Sequence, residues 1–251
     1  MRTLTQVWVF LISLTFIFLL ISFQLLGRAG LFFAFLISLF FLYAAIRNSV
    51  RLFKGPLQTK PLAGNDPSGF LAEVESHKTK FGLAKVDVHL AHGNSPPLVW
   101  KEDESHGFIL INEKLLHHLD ANELRLLALF CLAHIECRSF VAVHVLSILK
   151  IPIYVLSVLS KPISYITHAI LKTQLDFYKA DLKFTTIAES NKYELGYFLN
   201  KLHKFKFNNF TRPNAYNYFS TLSLPKSSNV NEFGLPGLDN RIRKIVGFSL
   251  T

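Results

Sequence analysis

The chain has 251 residues, half of them hydrophobic and 24 of them phenylalanine, and its formal net charge is +10. This composition is too apolar for an ordinary soluble domain, and the positive charge suits a surface close to anionic lipid headgroups. We do not expect nucleic acid as a partner, because the sequence contains neither a recognition motif nor a basic stripe with interleaved aromatic residues.

Two nearly uninterrupted apolar runs, Val7–Leu26 and Ala29–Ile46, open the chain. Each is close to the roughly 20 residues that a helix needs to cross a bilayer. A secretory signal would have one shorter apolar stretch with a small-residue cleavage site, and this pattern is not found. The short connection favours a tight hairpin. We therefore predict a transmembrane helical hairpin over 1–47, with two buried helices of a soluble core as the alternative.

Basic residues flank both apolar runs: Arg2 precedes the first, and the second is followed by Arg47, Arg51, Lys54 and Lys60. By the positive-inside rule, both termini and everything downstream of the hairpin face the cytoplasm. Residues 48–67 then form a basic linker containing proline and glycine, and 68–251 form a cytoplasmic domain. The lipid bilayer is the first predicted partner.

The cytoplasmic domain is predicted to be α+β and mainly helical, with a small sheet. Apolar spacing predicts a helix over 69–81, and short apolar or alternating runs predict strands over 86–90, 98–100 and 107–111. The later predicted elements are a short helix over 112–119, a long apolar helix over 121–137, helical segments within 173–204, a loop-rich stretch over 205–233 and a basic helix over 238–246.

Residues 139–171 form a hydrophobic insertion in this domain. The stretch is apolar enough to enter a bilayer, but it contains Lys150, Pro152, Lys161 and Pro162 and is too short for two full spans plus a turn. A single crossing would separate His134 from everything that follows. A re-entrant or interfacial hairpin, bent at one of the prolines, is therefore favoured, while crossing, re-entering and lying on the membrane all stay open.

The long apolar helix carries the most informative pattern in the chain. A capping box opens it, with Asp120 capping backbone N–H groups and Glu123 reaching back. Its end, Leu-Ala-His134-Ile135-Glu136-Cys137-Arg138, is similar to H-E-x-x-H, in which two histidines bind Zn²⁺ and the Glu is the general base. His134 occupies the first histidine position, Ile135 the Glu position and Arg138 the second histidine position.

The order of elements resembles the HtpX-like membrane zinc metallopeptidases, which are relatives of the CAAX prenyl proteases. The resemblance covers nearly the whole chain: a hairpin, strands leading to a short helix, the capped motif helix, a hydrophobic segment, a helix with E-x-x-A-D and a late H-P-x-x-x-x-R-I. Its most specific points are Asp120 with Leu-Ala-His134, Ala180-Asp181, and Pro236 with Arg241-Ile242. It implies a gluzincin-type domain in the bacterial inner membrane.

The departures from this family pattern all fall on the chemistry. Ile135 and Arg138 replace the general base and the second ligand, Phe177 replaces the third-ligand Glu, and Leu235 replaces the late histidine. Only His134, as a residual ligand, and Asp181, as a plausible partner for an imidazole N–H, keep their roles. Since a catalytic zinc needs three protein ligands and its bound water needs a base, we expect zinc and catalysis to be lost and no cofactor to replace them.

Two hypotheses concern the groups around the former site. Arg138 could fill the vacated metal position and pair with Asp181 or Asp176, or it could meet lipid phosphate near the membrane. His134 is expected to be a core histidine bonded to Asp181 or to a backbone carbonyl. The basic run Arg241–Lys244 is interpreted as a solvated or membrane-facing surface.

The two cysteines, Cys131 and Cys137, lie six residues apart in the predicted helix. A disulfide between them is not expected, because of that separation and because the cytoplasm is reducing. A thiolate–imidazole metal site with His134 is conceivable, but its ends would lie about 9 Å apart along the helix axis. Both cysteines are therefore interpreted as small apolar residues.

The predicted function is that of a catalytically inactive peptidase homologue. It would act as a binding, adaptor or regulatory subunit of a larger membrane assembly. Gly107–Ile111 (Gly107, Phe108, Ile109, Leu110 and Ile111) could bind unfolded or membrane protein segments as an added strand, which needs no zinc. The alternatives are an active zinc endopeptidase with an unconventional site and a purely structural membrane subunit, whose cleft would be packed solid. The partner and the oligomeric state stay open.

Overall fold

The mixed α+β class, mainly helical with a small sheet, is confirmed by the computed structural model of the chain. The structure describes residues 2–54, 59–62, 64, 66–91, 96–138, 173–188, 191–205, 220–222 and 238–247. Its described elements belong to two units. The first contains the N-terminal helix, and the second contains the sheet and the remaining helices.

The N-terminal helix α1, Arg2–Lys54, is two helical segments joined at Gly27, whose φ of 60° and ψ of −145° lie outside the helical region. Glycine permits this conformation because it has no β-carbon. Beyond the break, Gly30 lies so close to Ser22 and Leu26 that a β-carbon there would overlap them, so the second segment turns back on the first. The close approach of backbones explains a glycine at this point.

The described residues include one helical region, Thr15–Phe40, that is long and apolar enough to cross a membrane. Its large apolar side chains are mostly exposed, including Leu25 at 75% and Phe40 at 67%. Contiguous exposure of this kind is typical of a surface that faces lipid or another protein. The presence of two separate crossings stays a prediction.

Regular structure extends into the predicted linker, 48–67, from both sides. Helix α1 continues to Lys54, because arginine and lysine are good helix formers and the next glycine after Gly30 is Gly55. Strand β1, Thr59–Pro61, pairs antiparallel with a later strand, with Thr59 opposite Ala91. So short a strand depends on its distant partner, and local periodicity cannot reveal it.

The sheet has four strands in the order β1-β2-β4-β3. The strands that follow β1 are β2, Lys85–Ala91; β3, Leu98–Lys101; and β4, His106–Asn112. The central pair, β2 and β4, is parallel, and the two outer pairs are antiparallel. Strand β4 is buried along almost its whole length, which matches the continuous apolar run in its sequence.

The helices of the second unit agree closely with the predicted segments. They are α2, Phe70–His77, which continues as a 3₁₀ turn over Lys78–Phe81; α3, Glu113–His118; α4, Ala121–Cys137; α5, Thr173–Ile187; α6, Lys192–Lys204; and α7, Leu238–Val246. Asn191 caps the amide of Tyr193 and begins α6, which divides the predicted helical segment 173–204 into two helices. The predicted insertion 139–171 and most of the predicted loop 205–233 lie outside the described residues.

Helix α4 is the centre of the second unit. Its capping box is confirmed: the Glu123 amide donates to Asp120 Oδ1 at 2.8 Å, and the Asp120 amide donates to Glu123 Oε2 at 3.0 Å. From Leu124 to Ile135 only Arg125 has appreciable exposure, so the helix is apolar and buried on all sides. It contacts α2, α5 and both β3 and β4, and thereby holds its last turn deep in the core.

Candidate functional site

Three helices bring together in the core three polar residues to which the family resemblance drew attention. His134 lies in the last turn of α4, Asp181 in the middle of α5 and Arg241 in α7. Their side chains are 1%, 3% and 0% exposed, respectively. So complete a burial of charged groups requires that each be paired.

Arg241 is the hub of this cluster. Its Nε donates to Asp181 Oδ2 at 2.8 Å and its Nη2 to Asp181 Oδ1 at 2.6 Å, which forms a bidentate pair. Its Nη1 donates to the Thr221 carbonyl oxygen at 2.7 Å. The same Nη2 lies 3.2 Å from His134 Nε2. The Arg241 guanidinium therefore contacts a carboxylate, a backbone carbonyl and an imidazole.

The contact with Arg241 fixes the state of His134. A guanidinium can only donate, so His134 Nε2 must accept, and the imidazole proton must be on Nδ1. Burial lowers the pKa of His134 well below its ordinary value, and the nearby charges of Arg241 and Arg138 lower this pKa further. The neutral ring thus directs its Nε2 lone pair, the electron pair that a metal ion would use, toward a fixed cation.

This arrangement predicts that acid destabilises the fold through His134. In the unfolded chain the ring has its ordinary pKa of 6.5, whereas in the folded chain the pKa is depressed. The contribution to stability is therefore complete above pH 6.5 and is lost as the pH falls toward the folded pKa, by about 1.4 kcal/mol per pH unit. We therefore expect the free energy of unfolding to be lower at pH 5.0 than at pH 7.5. The measurement is urea unfolding of the full chain in neutral detergent, followed by the fluorescence of Trp100 in a Trp8→Phe background.

The matched variant for the pH experiment is His134→Gln. Its amide oxygen can still accept from Arg241, but it does not titrate. We expect the variant to lose the part of the pH dependence that His134 causes and to keep the rest. An equally steep pH dependence in both proteins would contradict the assignment of a neutral, buried His134.

The interpretation of Arg241–Lys244 as a solvated or membrane-facing run is wrong for its first residue. Arg241 and Ile242 are buried, whereas Arg243 and Lys244 are exposed. The signal was present in the sequence: Leu238, Ile242 and Ile245 have helical spacing, and position 241 falls on the same face as these apolar residues.

The structure does not pair Arg138 with Asp181, which is one of the two carboxylates suggested for it from the sequence. Within the described part of the chain, the cation that pairs with Asp181 is Arg241. Arg138 instead donates Nη1 to the Val99 carbonyl oxygen and Nη2 to the Ser220 carbonyl oxygen, both at 2.7 Å. A second arginine therefore ties the end of α4 to β3 and to residue 220. The alternative partner, Asp176, has its side chain outside the described residues.

Apolar side chains occupy the positions where the family resemblance expects the general base and the third ligand. Phe177 is buried, with its ring centroid 5.1 Å from that of His134 in an edge-on contact. The guanidinium carbons of Arg241 and Arg138 lie 5.0 and 5.4 Å from the same ring centroid. Ile135 is fully buried against Gly107 of β4. The predicted substitution Leu235 lies outside the described residues.

The contact between Ile135 and Gly107 predicts a steric effect. A β-carbon at Gly107 would lie 2.9 Å from Ile135 Cγ2 and 3.1 Å from Cδ1. Gly107→Ala should therefore destabilise the fold by about 1–3 kcal/mol, because overpacking a buried site forces its neighbours to move. Urea unfolding followed by Trp100 would measure the change.

The control for Gly107→Ala is the double variant with Ile135→Ala, which removes both clashing methyl groups. Its destabilisation should be smaller than the sum of the two single effects by at least about 0.5 kcal/mol. Strict additivity would show that the cost of Gly107→Ala has another cause.

The strand Gly107–Ile111 does not offer a free edge to a peptide. Strand β4 lies inside the sheet, with β2 on one side and β3 on the other, so Gly107, Phe108, Ile109 and Leu110 are paired on both sides, and Ile111 is paired with β2. The place of β4 in the sheet depends on pairing with distant strands, although its continuous apolar run is typical of an internal strand. The edge near the site belongs to β3.

Residues 220–222 of the same chain already cover part of that edge. Ser220 forms a β-bridge with Leu98, and the Thr221 amide donates to the Pro97 carbonyl oxygen at 3.0 Å. The arginines described above hold the Ser220 and Thr221 carbonyl oxygens. The sheet edge therefore carries a short piece of its own chain in the position that an added strand would take.

Cys131 is buried, as we predicted by interpreting both cysteines as small apolar residues. Cys131 is fully buried, and burial raises the pKa of its thiol to about 12, with a smaller opposing effect of Arg138. A thiolate is therefore not available at Cys131. Glu136, one position beyond Ile135, forms an ion pair with Lys183, so it does not face His134 as a base would.

Among the described residues, the side chains that converge as metal ligands could are those of Asp87, Glu102 and His106, at the sheet. His106 Nε2 lies 3.1 Å from Asp87 Oδ2, and its Nδ1 lies 3.7 Å from Glu102 Oε2. Lys85 Nζ is 3.0 Å from the other Asp87 oxygen. Both ring nitrogens thus face carboxylates, and Lys85 neutralises part of the charge, so these polar contacts link β2 to β4. The sheet register brings Asp87 close to His106, which sequence spacing alone does not show.

The chain was compared with protein-family models, curated proteins and solved structures, and none of them matches. The geometry of the buried cluster is therefore the main basis for a functional proposal.

Proposed function

We propose that this chain is a catalytically inactive member of the HtpX-like metallopeptidase group that acts as a binding, adaptor or regulatory subunit in a membrane assembly. The single observation that carries the proposal is Arg241, whose Nη2 lies 3.2 Å from His134 Nε2. A permanent cation stands beside the lone pair that zinc would need. The resemblance supplies the family, and the buried cluster supports the loss of catalysis.

The neighbouring residues support the same conclusion. Zinc catalysis needs about three protein ligands, a bound water and a carboxylate base close to that water. Phe177 and Ile135 are buried apolar groups at two of the positions concerned, and both oxygens of Asp181 are engaged by Arg241. This arrangement favours neither metal binding nor water activation.

The membrane part of the proposal has two crossings that form a hairpin over 1–47, in the bacterial inner membrane, with the termini and main domain in the cytoplasm. It is supported by the apolar helical region Thr15–Phe40, by the reversal after Gly27 and by the basic flanks.

Binding of an extended segment at the β3 edge fits this non-catalytic role. Strand addition requires only backbone hydrogen bonds, and residues 220–222 show that the edge of β3 accepts a chain in an antiparallel bridge. A partner segment would replace residues 220–222 there.

A purely structural membrane subunit is the second candidate. It is favoured by the filled cleft, in which His134, Phe177 and Arg241 are all buried and in contact. In that role residues 220–222 would stay on β3 and no partner segment would enter.

The test of lost catalysis is the zinc content of the full chain, purified in neutral detergent, alongside peptide cleavage with and without added zinc. We expect well under one zinc per chain and no zinc-dependent cleavage. Stoichiometric zinc that disappears in His134→Ala, together with zinc-dependent cleavage, would overturn the proposal and establish an active peptidase with an unconventional site.

A binding measurement separates the adaptor from the structural subunit. The probe is a fluorescently labelled, permanently unfolded protein such as reduced and carboxymethylated α-lactalbumin. The test variant is Thr221→Pro, which lacks the amide that bonds to Pro97 and should free the edge of β3. An adaptor should bind the probe, and the variant should bind it more tightly. Absence of binding in both proteins would favour the structural subunit.

A further inference from the structure

A cavity of about 670 Å³ lies on the second unit beside α5, and Asp181 of the buried cluster forms part of its wall. Three helices line it: α5 contributes Tyr178, Lys179 and Leu182, the first residue of α6 is Lys192, and α7 contributes Lys244 and Ile245. The volume suits a small molecule or a headgroup with part of its acyl chain.

The cavity is strongly positive. Lys179, Lys192 and Lys244 line it, and within the described part of the chain none of the three forms an ion pair with a carboxylate. The acidic residue at its wall, Asp181, is neutralised by its bidentate pair with Arg241. Three like charges around one cavity repel each other, and an anion bound between them would relieve that repulsion.

One of these lysines is held in place by an aromatic ring. Lys244 Nζ lies 3.4 Å from the centroid of the Tyr178 ring, which is cation–π geometry. This contact joins α7 to α5 across the cavity and restricts the position of the ammonium group. A partly ordered ammonium loses less conformational entropy when an anion binds.

The remaining lining is apolar. Leu182 is 70% exposed, and Ile245 lies on the facing helix. The ring of Tyr178 completes this surface. The ligand chemistry that matches is a compact anion joined to an apolar group, because an inorganic anion would leave the apolar surface in contact with water.

We propose that this groove binds the phosphate headgroup of an anionic phospholipid, with the three lysines on the phosphate and Leu182 against the start of the acyl chains. We choose a lipid rather than a free phosphate as the ligand because the same chain has an apolar helical region that is long enough to cross a membrane. Only this choice rests on the proposed membrane attachment. Each lysine near an anionic lipid contributes measurably to binding, and three together distinguish a site from a general positive surface.

The experiment uses the full chain, delipidated in a neutral maltoside detergent, and native mass spectrometry to count bound lipid during titration. The probes are dioctanoyl phosphatidic acid, dioctanoyl phosphatidylcholine as the zwitterionic counterpart, and inorganic phosphate as a competitor. We expect the anionic lipid to bind at least about tenfold more tightly than the zwitterionic lipid, and millimolar phosphate to leave that binding unchanged.

The test variant combines Lys179→Gln, Lys192→Gln and Lys244→Gln, and should weaken binding of phosphatidic acid by about tenfold or more. The matched control combines Lys80→Gln, Lys114→Gln and Lys204→Gln, which are exposed lysines outside the groove with the same total charge change. Its affinity should not change. All six side chains are exposed, so neither variant should lose its fold.

Three results would overturn the proposal. An equal loss of affinity in both triple variants would show that net charge alone attracts the lipid. Full competition by inorganic phosphate would identify a free-anion site instead. Equal affinity for the zwitterionic lipid would show that the apolar surface alone binds. None of these outcomes depends on whether the β3 edge binds peptides or whether zinc is absent.

Discussion

Replacing Arg241 by alanine is expected to destabilise the second unit by about 3–5 kcal/mol. The variant leaves the carboxylate of Asp181 buried without its bidentate partner and leaves the Thr221 carbonyl without its donor. His134 Nε2 also loses the group that faces it. The destabilisation comes from leaving a buried charge without a partner. It is larger than the net contribution of the ion pair to the free energy of unfolding.

Cys131 provides the measurement. It is fully buried in α4, and Cys137 is the only other cysteine, so Cys137→Ser leaves a single thiol that reacts only when the core opens. The labelling rate of the full chain in neutral detergent then reports the free energy of opening. Arg241→Ala should accelerate labelling between about a hundredfold and a few thousandfold, which corresponds to 3–5 kcal/mol.

Arg243→Ala is the matched control, since it removes the same side chain from the exposed face of the same helix. Its effect should stay within about 0.5 kcal/mol. The double variant Arg241→Met with Asp181→Leu removes both charges and should be much less destabilised than Arg241→Ala alone. If Arg241→Ala and Arg243→Ala accelerate labelling equally, the buried pair is not what stabilises this part of the core.

Local features of the sequence predicted the helical framework well. The capping box of Asp120 and Glu123 begins α4 where expected, and 238–246 is the predicted last helix. These elements depend on caps and apolar spacing within a few residues, so a single stretch of sequence contains the necessary information. Ile135 and Phe177, which are both apolar, are also buried.

The chemistry of the site could be predicted only in part, because it depends on long-range contacts. Arg241 lies 60 residues from Asp181 and 107 residues from His134 along the chain. The sequence suggested that a cation replaces the metal beside His134, but the candidate was Arg138, the neighbour in the motif, paired with Asp181 or Asp176 or in contact with lipid phosphate. Helical spacing places Arg241 on the buried face of α7, yet it cannot show which carboxylate that face meets.

The sheet illustrates the same limit. Strand β4 was predicted with nearly correct bounds, but its position between β2 and β3 depends on register and strand order. A continuous apolar run is typical of an internal strand, which is buried on both faces. That signal argued against Gly107–Ile111 as an exposed edge. The covering of β3 by residues 220–222 had no counterpart in local sequence.

Phe177→Ala is expected to destabilise the second unit by about 3–5 kcal/mol, the range for removing a buried aromatic ring. The ring fills the space between His134 and two guanidiniums, at 5.1 Å from the imidazole centroid and 5.0 Å from the Arg241 guanidinium carbon. Alanine would leave a cavity and would also remove the ring face that both arginines contact. Labelling of Cys131, measured as for Arg241→Ala, would give the change in opening free energy.

Leu182→Ala on the same helix is the control for Phe177→Ala, because Leu182 is 70% exposed and its removal should cost about 0.5 kcal/mol or less. Phe177→Leu, which keeps most of the volume, should fall between the two variants. The three results together show whether the Phe177 ring contributes to the stability of the fold or only replaces a metal-binding side chain. A cost below about 1 kcal/mol for Phe177→Ala would mean that the cleft tolerates an opening beside His134, which favours an adaptor that admits a partner. A destabilisation of about 3–5 kcal/mol would mean that the Phe177 ring stabilises the core by packing. The ring would do so at the position where the family resemblance expects a third metal ligand.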